Sequence, residues 1–78
     1  MITFDPAIGM PVKVNALFMR VDNKHVGTII WVTGGTTLIE TTYFGPSLLE
    51  CETSWHTTIE GAKKALTVRY VADRLEAA

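Results

Sequence analysis

The sequence predicts an α+β fold: a three- or four-stranded antiparallel sheet with one C-terminal helix packed on it. Three observations carry this. Residues 12–18 alternate from face to face, β-branched runs are separated by turn residues at the spacing of a meander, and after Thr57 the apolar period lengthens to that of a helix.

The first segment, residues 1–11, contains Pro6, Gly9 and Pro11 and is read as an N-terminal arm or loop. The meander occupies residues 12–53. Val12, Val14, Ala16 and Phe18 point one way, and Lys13, Asn15, Leu17 and Met19 the other. Asp22-Asn23 is turn chemistry, because both side chains tolerate a left-handed backbone. His25 to Thr33 is rich in β-branched residues and apolar on both faces near Ile29–Val32, the pattern of a central strand. Gly34-Gly35 supplies a tight hairpin turn, Thr36 to Phe44 a third strand, Gly45-Pro46-Ser47 a break, and Leu48 to Thr53 a short fourth strand.

The helix is expected over residues 57–76. Thr57 and Glu60 have the spacing of a capping box, in which each side chain satisfies the other residue's backbone N–H. Glu60 precedes Lys63 and Lys64, and Arg69 precedes Asp73, at ion-pairing distances along a helix. Ile59, Ala62, Leu66 and Tyr70 form one apolar stripe. Gly61, Ala65, Val68, Ala72 and Leu75 form a second, rich in small residues. One sheet needs a stripe only a little over about 100° wide, so this helix has apolar surface to spare. Ala65, Val68, Ala72 and Leu75 are therefore expected to mediate self-association, giving a homodimer.

Composition narrows the function classes. The chain has 78 residues, 47% hydrophobic and 19% charged, which bounds it to one ordered domain over residues 1–78. Seven basic residues against eight acidic ones leave a formal net charge of -1, so no strong field draws it to nucleic acid or a membrane. The longest run without Asp, Glu, Lys or Arg, residues 25–39, is too short to span a bilayer. The N-terminus lacks the basic start of a secretory signal. The single cysteine excludes an internal disulfide and fits a reducing compartment, so a cytoplasmic location is expected.

No motif carries chemistry, so neither catalysis, a cofactor nor a metal is expected. Cys51 and His56 could form a thiol–base pair, but a lone cysteine more often packs as a small hydrophobe. His25 beside a turn reads as solvated, His56 as packed before the helix, and two histidines do not make a zinc site. Glu50 and Glu52 share a face of the fourth strand, where charge resists edge pairing. They are also the expected contacts to a protein partner, with Glu40 extending an acidic patch. The glycines at 34 and 35 lie between strands and do not open a helix, so they are not a phosphate cradle. Trp31, Tyr43, Phe44 and Trp55 are candidate stacking residues, read as core because no Arg or Lys is interleaved with them. Four of the basic residues, Lys63, Lys64, Arg69 and Arg74, sit on the helix among acids.

The run from Trp55 to Leu66, following a short meander, resembles the layout of many small phage and prophage proteins: strands, then a Ser/Thr-x-x-Glu-x-Ala-Lys helix. The resemblance covers about the last 50 residues. Small phage-encoded inhibitors of bacterial defence, anti-CRISPR proteins among them, share this size and lack catalytic motifs. The resemblance implies a non-enzymatic protein-binding module that occludes a surface on a larger complex in the host cytoplasm. The same layout is similar to the three-strand-plus-helix DNA-binding domains of phage-type integrases, which makes a sheet-based DNA-binding module the alternative. The sequence departs from those readers in showing no basic, aromatic sheet face.

Overall fold

The structure, a computed structural model, describes residues 1–34, 38–44 and 51–77. Five antiparallel strands lie side by side in chain order: β1 (Ile2–Pro6), β2 (Val14–Val21), β3 (Lys24–Val32), β4 (Ile39–Tyr43) and β5 (Glu52–His56). One helix, α1 (Ile59–Ala77), follows and packs against β3, β4 and β5. The α+β class and antiparallel sheet agree with the sequence, and the strand count exceeds the expected three or four by one.

The extra strand is β1, where an arm or loop was expected. Pro6, Gly9 and Pro11 do break the chain, but they break it after Ile2-Thr3-Phe4-Asp5, which alternates and pairs with β2 (Ile2↔Val21, Phe4↔Met19, Pro6↔Leu17). Proline is tolerated there because β1 is an edge strand. β2 begins at Val14 instead of Val12: Lys13 takes a positive φ of 70° and the Val14 N–H donates to the Pro11 carbonyl, a turn that leaves Val12 outside the sheet. The Asp22-Asn23 turn is as expected, with φ of 51° and 70° closing a two-residue hairpin whose backbone twist suits the flanking strands. Gly34 has the predicted positive φ, 80°. Gly35, Thr36 and Thr37 lie outside the described residues, as does Leu48–Glu50 of the expected fourth strand, and the observed β5 extends to His56.

The helix starts at Ile59, one turn position later than a cap at Thr57 would give. Thr58 is the cap: its Oγ1 accepts the Gly61 N–H at 3.0 Å and its carbonyl accepts the Ala62 N–H at 3.1 Å. Because β5 runs to His56, Thr57 is spent as linker. The residue three positions after Thr58 is glycine, which has no side chain to return the bond.

Register fixes the two faces of the sheet. Phe4, Met19, Ile29, Thr41 and Tyr43 turn toward α1, where Ala62 and Leu66 are inserted. Met19, Ile29 and Ala62 are fully buried and Leu66 nearly so, with Ile59 and Tyr70 flanking them, so the first predicted helix stripe is the one that meets the sheet. A β-bulge sits in this layer: Met19 pairs with Gly27 and Arg20 with His25, leaving Val26 as the extra residue, buried with the core. Gly27 lies directly under the helix. A Cβ there would stand 3.1 Å from the Thr42 carbonyl oxygen and 3.3 Å from both Leu66 methyls, so glycine sets how close the helix approaches.

Leu66→Ala removes the side chain that fills this contact. It is expected to lower unfolding free energy by about 2–5 kcal/mol in urea melts. Leu75→Ala, at a position 73% exposed, should change it by less than about 0.5 kcal/mol in dilute solution.

Candidate functional site

On the helix side of β4 and β5, register sets Thr41 opposite Ser54, with His56 two residues further along the same face. The two hydroxyl oxygens are 2.5 Å apart, Thr41 Oγ1 also donates to the Ser54 carbonyl at 3.3 Å, and Ser54 Oγ lies 2.8 Å from His56 Nε2. A serine within reach of an imidazole is half of a nucleophile–base arrangement. Among the described residues no carboxylate orients His56, and the adjoining cleft, about 100 Å³ and lined in part by Tyr43, Leu66 and Arg69, has room for little beyond water. The chain of hydroxyls satisfies buried Thr41. Cys51, exposed, stands at the opposite end of β5 from His56, about 16 Å away at the rise of an extended strand, so the two do not meet. Among the described residues no three His, Cys, Asp or Glu side chains gather closely enough to hold a metal.

Arg69 ties the helix to this edge. Its Nε donates to Glu52 at 2.8 Å, its Nη1 to Asp73 at 2.6 Å, and its guanidinium lies 5.7 Å from the centre of the Tyr43 ring. The Arg69–Asp73 pair is the one expected from spacing. Glu52, expected to face a partner, bends toward the helix, although it remains largely exposed. Glu50 lies outside the described residues. Glu40 does not extend an acidic patch with Glu52, since alternation along β4 and β5 sends the two to opposite faces of the sheet. Burial, followed by a hydrogen bond to Asp73, pushes the Tyr43 hydroxyl up to about 12.

Among the described residues, no helix lies on the other face of the sheet. Val14, Ala16 and Phe18 of β2 point there, with Thr28, Ile30 and Val32 of β3, Glu40 and Thr42 of β4, and Thr53 and Trp55 of β5. At one end a shallow groove of about 430 Å³ runs along Ile30, Trp31, Val32, Leu38, Glu40 and Trp55. Val32, Leu38 and Trp55 are 44%, 52% and 58% exposed. At the other end the His25 ring is held between Phe18 (4.7 Å) and Phe44 (5.1 Å), with its Nε2–H donating to the Gly27 carbonyl at 2.8 Å, and Arg20 lies 5.8 Å from the Phe18 ring centre. His25 is exposed beside the turn, as its reading as a solvated residue expected, and its ring is also bonded into this face. Trp31 and Tyr43 pack with the core as expected, whereas Trp55 does not.

The second helix stripe is left partly open. Val68 and Leu75 are 58% and 73% exposed, while Ala65 and Ala72 are half-buried. Val71, not in the predicted stripe, is also exposed. Ala65 shares the small cleft with Thr53, Ser54 and Arg69, which places this side of the helix over the β5 edge. The groove residues Ile30, Val32 and Leu38 were not singled out by sequence. The signal for them was the absence of polar alternation in β3, which states that both faces are apolar without saying which is covered. No family model, curated protein or solved structure matches the chain.

The Tyr43 hydroxyl gives this network a pH signature. Its ordinary value is 10.0 and its folded value about 12, so the stabilisation is fully present below pH 10 and is lost as pH rises through the folded value. Urea melts across that alkaline range should show the wild type losing stability faster than Tyr43→Phe, and parallel curves would contradict the assignment.

Proposed function

We propose that the chain is a non-enzymatic protein-binding module that acts by occluding a surface on a larger protein. The observation that carries this is a sheet covered on one face only: among the described residues nothing lies over the groove formed by Ile30, Val32, Leu38 and Trp55. An aromatic anchor with aliphatic neighbours and a polar surround is the composition of a protein-binding hot spot. Glu40 supplies a polar contact at the groove, and Glu52, at the sheet edge on the helix side, lies outside it. The layout's resemblance to small phage-encoded inhibitors of bacterial defence supports reading the module as an anti-defence inhibitor of the host cytoplasm. The open helix stripe, Ala65, Val68, Ala72 and Leu75, supports self-association as a homodimer. Among the described residues, no helix is long and apolar enough to cross a membrane.

A sheet-based DNA-binding module is the second reading, favoured by one observation. The face expected to lack aromatics carries Phe18, His25, Phe44 and Trp55, with Arg20 beside Phe18. Stacking on such a face suits single-stranded bases. Glu40 and Asp5 share it, so it has no basic field to hold phosphates.

The test is capture from a bacterial lysate, read by mass spectrometry, with two variants as controls. A partner held by the wild type and by Val68→Asp, but bound about 30-fold more weakly by Trp55→Ala, supports the protein-binding reading. An identical set captured by Trp55→Ala removes the bare face from it. Fluorescence anisotropy with duplex and single-stranded DNA decides the second reading: affinity falling steeply between about 50 and 200 mM salt favours it, and no binding at the lower salt ends it.

A further inference from the structure

The two edges of the sheet are unequal. On the β1 side, the Ala7 N–H donates to Ala16 and the Asp22 N–H to Met1, so the odd-numbered residues turn their backbone groups inward. Ile2, Phe4 and Pro6 therefore face outward, and Pro6 has no N–H to give and a ring in the way. On the β5 side, the Phe44 N–H donates to the Val26 carbonyl at 2.8 Å, which turns Phe44, Thr42 and Glu40 toward β3. Alternation then turns Ile39, Thr41 and Tyr43 toward β5, and their partners His56, Ser54 and Glu52 toward β4. Thr53 and Trp55 are left with both N–H and C=O directed out of the sheet. Among the described residues nothing pairs with them. Of the two charges expected to guard this edge, Glu52 is drawn onto the helix side by Arg69, and Glu50 lies outside the described residues.

We propose that this edge pairs with β5 of a second copy, antiparallel, about a two-fold axis at Ser54, giving a continuous ten-stranded sheet. The inference rests on the self-association reading above and specifies its interface. In this register the whole of β5 is paired, and Thr53 exchanges backbone hydrogen bonds with the partner's Trp55. Glu52 then falls opposite the partner's His56, and His56 opposite the partner's Glu52. These are non-hydrogen-bonded positions, where side chains stand closest. The match is self-complementary: Glu52 uses one carboxylate oxygen, Oε2, for Arg69, and His56 uses Nε2 for Ser54, so each keeps an atom for the other. A register centred one residue either way sets Trp55 against its own copy or Thr53 against its own copy, and forfeits both Glu52–His56 contacts. The two-fold also places both helices on the same side of the joined sheet. Ala65 of each helix lines the cleft with Thr53 and Ser54 of β5, so this flank of each helix faces the seam.

Light scattering, a proline variant and a cysteine cross-link test this together. The wild type is expected at twice the 8.6 kDa chain mass at high micromolar concentration. Thr53→Pro removes only an outward-facing N–H. It should keep the circular dichroism spectrum of the wild type while weakening dimerisation by at least about 100-fold. In the Cys51→Ser, Ser54→Cys double variant, mild oxidation should give a covalent dimer, since the two-fold sets position 54 against itself within disulfide reach. A Cys51→Ser, Thr53→Cys control should cross-link far less. A wild-type dimer that persists in Thr53→Pro and does not cross-link at position 54 overturns the β5 register while leaving self-association in place. A wild type that is monomeric throughout overturns both. Failure of Thr53→Pro to fold leaves the cross-link to decide alone.

Discussion

One helix can cover only one face of a five-stranded sheet, and the rest of this molecule follows from that. The face toward α1 is a closed core around Met19, Ile29 and Leu66. The other face must either be polar or meet something else. It is not uniformly polar, and among the described residues nothing covers it: Ala16 is hidden by its own neighbours, while Val32 and Trp55 keep much of their surface in water. The proposals for function grow from this imbalance, because apolar groups left against solvent are tolerated where a partner removes them from it.

A single residue governs how the two layers meet. Gly27 lets Leu66 settle against the backbone of β3, and the Val26 bulge beside it adds local twist just where the helix crosses. Arg69 then fastens the outer side of the helix to β5 through Glu52 and to its own next turn through Asp73. An exposed ion pair of this kind adds little stability alone. Its greater effect is positional, since it turns Glu52 off the sheet edge and steadies the ring of Tyr43 beneath it.

Much of the fold was legible in the sequence because it is written in alternation and turn chemistry. The Asp22-Asn23 turn, the central character of β3 and the helix stripe carrying Ala62 and Leu66 all follow from local pattern. β1 was hidden because proline and glycine mark where a strand ends as readily as where none exists, and Pro6 sits at the one kind of position, an outer edge, where a strand accepts it. The cap moved from Thr57 to Thr58 because adjacent threonines offer the same chemistry, and the length of β5 decides between them. The candidate surfaces were less legible. The periodicity of Ala65, Val68, Ala72 and Leu75 was plain, but which side of the sheet remains bare depends on where the helix docks. The meeting of Thr41, Ser54 and His56 depends on register between strands, which no single segment encodes.

The order of the strands has a kinetic side. Every strand pairs only with its neighbour in sequence, and the helix docks on the strands that immediately precede it. The chain never has to close a long loop before native contacts repay the entropy, and the cost of closing short ones grows slowly with length. Assembly can begin at the two-residue turn between β2 and β3 and zip outward in both directions, with α1 arriving last to seal one side. Such a route is quick for a β-rich protein. It also means that outer strands join late, so a nascent chain displays an unfinished margin for part of its time.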